Sequence, residues 1–87
     1  MKIKEGFLLR KIASQTMVVA VGQASKEFNG IIRLNPTGEF LWEKLQSDVT
    51  VDELVDAMTA EYDIDEATAR ADIESFIDTL KGANILA

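Results

Sequence analysis

Short apolar stretches fill the first third of the chain and have the composition of β-strands. Residues 7–13 (Phe-Leu-Leu-Arg-Lys-Ile-Ala) and 16–21 (Thr-Met-Val-Val-Ala-Val) are rich in branched or aromatic side chains, which favours strands. Ser14-Gln15 is a two-residue hairpin turn between them, and its type stays open because it lacks glycine. Residues 31–34 (Ile-Ile-Arg-Leu) follow a polar loop and add a third strand. The pattern predicts a three-stranded antiparallel meander.

After residue 34 the apolar positions recur at helical spacing. The predicted helices are 36–46 after the N-cap Asn35, 51–62 after the N-cap Thr50, and 66–81 after the N-cap Asp65. Pro36 suits the first helical position because it lacks an N–H group, and Thr50 with Glu53 has the spacing of a capping box. Gly82 is expected to end the third helix. The predicted fold class is α+β, with a three-stranded antiparallel sheet followed by three helices.

Three further features of the sequence have structural interpretations. Trp42 lies on the apolar face of the first helix and is expected in the core, with a ligand-stacking role as the alternative. Gly38 on the same face indicates a close backbone approach. The apolar tail Ile85-Leu86 is expected to fold back against the core.

Composition excludes most chemistry. The 87 residues include no cysteine and no histidine, which removes thiolate and imidazole catalysts and most zinc or iron sites. No phosphate-binding loop occurs, and the serines have no base to activate them. We therefore expect one domain over residues 1–87 that is not an enzyme, with no catalytic residue, metal or cofactor. The longest apolar run is five residues and no signal peptide is evident, so we expect a cytoplasmic protein without membrane contact.

Charge is divided between the two halves of the chain. Residues 1–34 hold six basic and two acidic residues, whereas residues 35–87 hold three basic and thirteen acidic residues. The second and third helices have the order of a helix-turn-helix, so a winged helix-turn-helix transcriptional regulator is the alternative function. The third helix, however, carries more acidic than basic side chains and would repel DNA phosphates. We expect no nucleic-acid partner.

The third strand has an exposed edge. Residues 31–34 contain no proline, and their outer backbone groups need a partner. Both faces of the strands are apolar, which leaves apolar surface beside this edge. These features suit recognition of a peptide by strand addition. The pattern equally allows an edge covered by its own loop or by a homodimer.

Several sequence features resemble the PqqD family, named for pyrroloquinoline quinone (PQQ) biosynthesis protein D. The resemblance covers residues 7–86 and is carried by Leu34-Asn35-Pro36-Thr37-Gly38 with Trp42, by Thr50-Val51-Asp52-Glu53-Leu54, by Tyr62, and by Asp72-Ile73 with Phe76, Leu80 and Gly82. It implies a winged-helix-like RiPP recognition element, which binds the leader of a ribosomally synthesised precursor peptide. The leader adds to the third strand, in the groove beside the third helix. A separate modifying enzyme, often a radical S-adenosylmethionine (SAM) protein, then acts on the peptide in PQQ or another biosynthetic pathway.

Carried onto this chain, the resemblance places the leader on the third strand and on one flank of the third helix. One flank comprises Arg70, Ile73, Glu74, Ile77 and Lys81, and the other comprises Ala69, Asp72, Phe76 and Thr79. The first flank is preferred because it combines two cationic side chains with an isoleucine floor. The predicted peptide-binding residues are Ile31, Ile32, Arg33, Leu34, Arg70, Ile73, Glu74, Ile77 and Lys81. The Leu-Asn-Pro-Thr-Gly stretch is interpreted as a structural junction between strand and helix.

Overall fold

The computed structural model describes residues 1–28 and 32–87. Within these residues the strands form a three-stranded antiparallel sheet in the order β1-β2-β3. The elements are β1 (Phe7–Ile12), β2 (Gln15–Ala20), α1 (Ala24–Glu27), β3 (Ile32–Leu34), α2 (Pro36–Lys44), α3 (Val51–Glu61) and α4 (Glu66–Gly82). The predicted α+β class is confirmed, and α1 is an addition to the predicted elements.

The turn between β1 and β2 lies one residue earlier than predicted. It consists of Ala13 and Ser14, whose φ angles are 51° and 61°. Two positive φ angles in a two-residue loop define a type I′ turn, whose twist matches that of the flanking strands. The sequence gives little sign of this turn because neither residue is Asn or Gly. As a result Gln15 belongs to β2, where it pairs with Ile12.

β3 is a short edge strand. Its pairs with β2 are Thr16↔Leu34, Met17↔Arg33 and Val18↔Ile32. Thr16 and Val18 are 4% and 1% exposed, so this face of the sheet packs toward the helices. Since paired residues share a face and successive residues alternate, Arg33 lies on the opposite, solvent-facing side. Ile31 lies outside the described residues.

The one-turn helix α1 packs beside the start of β1. A Cβ atom on Gly6, whose φ is +92°, would lie only 2.8 Å from Cβ of Ala24. The Phe28 ring, just after α1, meets the Phe7 ring edge to face with centroids 5.4 Å apart. Gly6 therefore provides both the turn and the space for this contact.

The predicted helix starts are confirmed by side-chain caps. The backbone N–H of Gly38 donates to Asn35 Oδ1 at 2.8 Å, and the N–H of Thr68 donates to Asp65 Oδ1 at 2.7 Å. Thr50 and Glu53 form the reciprocal capping box. Each cap satisfies an amide that has no partner within the helix.

Helix α4 continues through Gly82, which was predicted to stop it. Gly82 lies inside the helix, and Asn84 takes the left-handed conformation with φ 59°. The N–H of Ile85 donates to Leu80 O at 2.9 Å, and the N–H of Asn84 donates to Lys81 O at 3.0 Å. These bonds form a Schellman motif, with the buried side chains of Leu80 and Ile85 as its apolar contact.

The core lies between the inner face of the sheet and helices α2 to α4. Trp42 is 3% exposed and Ile85 is fully buried, which confirms the core interpretation of both. Leu86 forms a β-bridge with Ile3, so the tail folds back as predicted. No helix in the described part of the chain is both long and apolar enough to cross a membrane.

Candidate functional site

The backbone direction of β3 follows from the hairpin turn. In a type I′ turn the flanking residues, here Ile12 and Gln15, form a hydrogen-bonded pair. Bonding direction alternates along antiparallel strands. Gln15 and Met17 therefore direct their N–H and C=O groups toward β1, whereas Thr16 and Val18 direct theirs toward β3.

Arg33 consequently presents its backbone to the free edge of the sheet. Ile32 and Leu34 pair with Val18 and Thr16, so their backbone groups point inward. Arg33 pairs with Met17, and its N–H and C=O point away from the sheet. Within Ile32–Leu34, this residue offers both a donor and an acceptor to an added strand.

An open groove of about 780 Å³ adjoins this edge. Its apolar lining consists of Ile32, Leu34, Leu41, Pro36 and Phe76. The hairpin turn and the start of α2 line it as well, through Ser14, Gln15, Thr16, Asn35, Thr37 and Gly38. The geometry combines an exposed strand edge with an apolar floor, which is the arrangement needed to hold an extended chain.

Helix α4 provides the remaining wall. This helix is the third of the predicted helices, and its lining residues are Asp72, Ser75, Phe76 and Thr79. Three of them, Asp72, Phe76 and Thr79, belong to the flank that the sequence analysis did not prefer. Phe76 is partly buried against the core and is the large apolar side chain of this wall. The flank preferred from the sequence does not border the groove.

Burial explains why this flank does not form the groove floor. Ile73 and Ile77 are 0% and 4% exposed, so they belong to the core and cannot form a groove floor. Glu74 and Lys81 are exposed but lie outside the groove lining. Ala69, from the second flank, is also fully buried.

Arg70 is engaged with helix α3. Its Nη2 donates to Asp52 Oδ1 at 2.8 Å and lies 3.6 Å from Glu66 Oε1. The hydrogen bond to Asp52 raises the pKa of the guanidinium above its usual value. Arg70 therefore contributes to the packing of α3 against α4, on a side of α4 that does not line the groove.

The junction between β3 and α2 shapes one end of the groove. A Cβ atom on Gly38 would lie 3.2 Å from Asn35 Oδ1 and 3.4 Å from Leu34 Cβ, so the predicted close approach is confirmed. Thr16 Oγ1 donates a hydrogen bond to Glu39 Oε1, which joins β2 to α2. The Leu-Asn-Pro-Thr-Gly stretch is thus a structural junction, as predicted, that also lines the groove.

The groove carries little charge. Its lining includes two charged residues, Asp72 on α4 and Arg33 on β3, and the side chain of Arg33 lies on the opposite, solvent-facing side of the sheet. Within the described part of the chain, the clusters of acidic side chains include no group that could hold a metal ion. The apolar lining suits an extended, largely apolar segment.

Sequence reasoning missed the groove-lining role of the hairpin turn and preferred the side of α4 that does not border the groove. The available signal was Phe76, a large aromatic residue at the margin of the apolar stripe of α4. Of the predicted peptide-binding residues, Ile32, Arg33 and Leu34 line the groove, and Ile31 is not described.

Comparison with known proteins agrees with this geometry. The family model for coenzyme PQQ synthesis protein D (PqqD) matches residues 15–86. The solved structure of TbiB1 in complex with the TbiA(beta) leader peptide is similar, with a TM-score of 0.76 and 26% sequence identity over 99% of this chain and 94% of that one. No match is found among the curated proteins. The chain belongs to the PqqD family.

Proposed function

We propose that this chain is a RiPP recognition element, which binds the leader of a ribosomally synthesised precursor peptide by strand addition to β3. One observation carries the proposal: the outward backbone of Arg33 lies at the rim of an apolar groove bounded by Phe76. Family membership supports it, as does the similarity to TbiB1, which binds a leader peptide.

Apolar contacts supply most of the expected affinity. Two backbone hydrogen bonds to Arg33 contribute about 1–3 kcal/mol in total, which by itself is too weak for stable association. Each Leu- or Val-sized side chain buried on the groove floor adds about 1.5–3 kcal/mol. The leader therefore needs apolar side chains that fit between Leu34 and Phe76.

The proposed contact residues follow the groove lining. They are Ile32, Arg33 and Leu34 on the strand and Asp72, Ser75, Phe76 and Thr79 on the helix. Ile31 stays a contact expected from the sequence alone, since it lies outside the described residues. The flank with Arg70, Glu74 and Lys81 is not part of the proposal because it does not border the groove.

The bound leader is delivered to a separate modifying enzyme. The 87 residues act as one non-catalytic domain without a cofactor, in the cytoplasm, and the partner enzyme is a radical SAM protein. A homodimer formed through β3 would cover the leader site. We therefore expect that β3 is not paired with a second copy of the chain when the leader binds.

DNA binding is not proposed. Helix α4, which would have to enter the major groove, carries four acidic and two basic side chains. DNA phosphates would be repelled by this surface. No observation on the groove favours a nucleic acid.

Titration with a synthetic leader tests the proposal. The neighbouring open reading frames are searched for a short precursor peptide, and its leader is added to isotopically labelled protein while amide chemical shifts are recorded. Shifts are expected in residues 32–34 and 72–79. Shifts confined to the exposed flank of Arg70, Glu74 and Lys81, or the absence of any shift, would contradict it.

Variants of α4 provide a matched control. Phe76→Asp places a carboxylate in the groove and should abolish leader binding, because the charge must be desolvated when the leader covers it. Glu74→Ala, on an exposed position outside the groove, should bind as the parent does. Equal binding by Phe76→Asp, with circular dichroism showing an intact fold, would refute the assigned wall.

A further inference from the structure

The solvent-facing side of the sheet carries a row of two arginines. The strand register aligns Arg10 with Met17 and Met17 with Arg33. Arg10 and Arg33 are exposed, and neither forms an ion pair with another described residue. The row is therefore cationic and ends at Arg33, beside the free edge.

An added strand would extend this row by one residue. The residue directly opposite Arg33 shares its face, because side chains of paired residues lie on the same side of a sheet. Its side chain stands in the solvent next to the guanidinium of Arg33. Opposite charges in such cross-strand positions stabilise the pairing, whereas like charges weaken it.

The two neighbouring residues of the added strand face the groove. They lie opposite Ile32 and Leu34, on the side of Leu41 and Phe76. Apolar side chains fit this floor. A carboxylate there would be desolvated and would lie in the same groove as Asp72, so acidic residues are disfavoured at both inward positions.

We propose that the groove selects an extended segment with the pattern apolar–acidic–apolar, in which the acidic side chain lies opposite Arg33. This inference rests on the proposed strand addition and specifies which leader sequences are accepted. Arg33 is then a specificity-determining residue, which acts through its backbone and its charge together.

Short synthetic peptides test the pattern without knowledge of the natural leader. The probe is acetyl-Ser-Thr-Val-Glu-Val-Thr-Ser-amide, compared with the same peptide carrying Lys in place of Glu. Both are titrated at millimolar concentration while amide shifts of the protein are recorded. The Glu side chain is attracted to the guanidinium of Arg33, whereas the Lys side chain is repelled by it. Together these two effects predict a roughly 2- to 30-fold higher affinity for the Glu peptide, and added salt should reduce this preference.

Charge reversal at Arg33 provides the decisive comparison. Arg33→Glu should invert the preference, so that the Lys peptide binds more tightly. Lys81→Glu makes the same change of net charge on the exposed flank of α4, outside the groove, and should leave the preference as in the parent. Circular dichroism verifies that both variants are folded.

The outcomes separate this inference from the function on which it rests. Groove shifts at residues 32–34 and 72–79 with equal affinity for both peptides, unchanged by Arg33→Glu, would overturn the pattern and leave leader binding intact. Inversion by Lys81→Glu as well would attribute the preference to net charge and also overturn it. If neither peptide shifts the groove residues, both the pattern and strand addition are contradicted.

Discussion

Proline substitutions at two neighbouring positions of β3 distinguish the residue that bonds within the sheet from the residue that bonds to the leader. Ile32 bonds inward to Val18, whereas the N–H of Arg33 points to the free edge. Arg33→Pro therefore removes a donor needed by the leader and leaves the sheet bonds in place. Ile32→Pro removes a bond within the sheet, opposite a residue that is 1% exposed.

The two substitutions are expected to change different quantities: Arg33→Pro changes leader affinity, and Ile32→Pro changes the stability of the fold. Arg33→Pro leaves one carbonyl of the bound leader without its donor, at a cost of about 1–3 kcal/mol, which weakens Kd by roughly 5- to 160-fold. Ile32→Pro leaves a buried carbonyl of β2 unpaired, so the free energy of unfolding falls by a similar amount, about 1–3 kcal/mol. For a domain of this size, each kcal/mol lowers Tm by about 4–8 °C.

Calorimetric titration with the leader and thermal unfolding followed by circular dichroism measure the two effects. Arg33→Ala is the matched control, because it removes the same side chain and keeps the N–H. The backbone assignment is refuted if Arg33→Pro binds no more weakly than Arg33→Ala, or if Ile32→Pro is as stable as the parent.

Three other perturbations follow from the structure. Ile77→Asp, unlike Phe76→Asp, should unfold the chain, because it puts a carboxylate in the core; a Tm close to that of the parent would contradict the placement of the two side chains. Gly6→Ala should cost about 1–3 kcal/mol in urea denaturation, because the residue has a positive φ and its Cβ would clash with Ala24; an unchanged midpoint would contradict this contact. The carboxylate of Asp65 caps α4, and the hydrogen bond that it accepts from the N–H of Thr68 lowers its pKa below the ordinary 3.8, so it stabilises the fold above that pH and the contribution is lost as pH falls further; Asp65→Asn should flatten stability against pH only in this acid range, and an equally steep fall would refute the assignment.

Helix starts were predictable from sequence because each depends on a local hydrogen bond. Asn35, Thr50 and Asp65 all have side chains that accept from the amide three residues later, and the structure contains all three caps. Such bonds need only a few neighbouring residues. The helix end was less predictable, because Gly82 and Asn84 can both supply a left-handed conformation and only packing of Ile85 selects between them.

The groove-facing side of α4 was not predictable in the same way. The spacing of Ala69, Ile73, Ile77 and Leu80 identifies the buried stripe. The stripe has two margins. The packing of the helix against the sheet decides which of them lies beside β3. That packing depends on contacts distant in sequence, so the apolar character of Ile73 and Ile77 favoured the margin that does not border the groove.

The hairpin turn shows how one local detail affects the site. Moving the turn from Ser14-Gln15 to Ala13-Ser14 shifts β2 by one residue. A one-residue shift reverses which backbone groups of Thr16 and Met17 point toward β3. The identification of Arg33 as the outward residue therefore required the structure.

Intermolecular nuclear Overhauser effects in the leader complex test strand addition most directly. A labelled protein and an unlabelled leader should give contacts between the leader backbone and the amide of Arg33, with leader side chains near Phe76. Contacts of the leader with Arg70, Glu74 and Lys81, or with the outer edge of β1, in the absence of any contact with Arg33, would contradict the account.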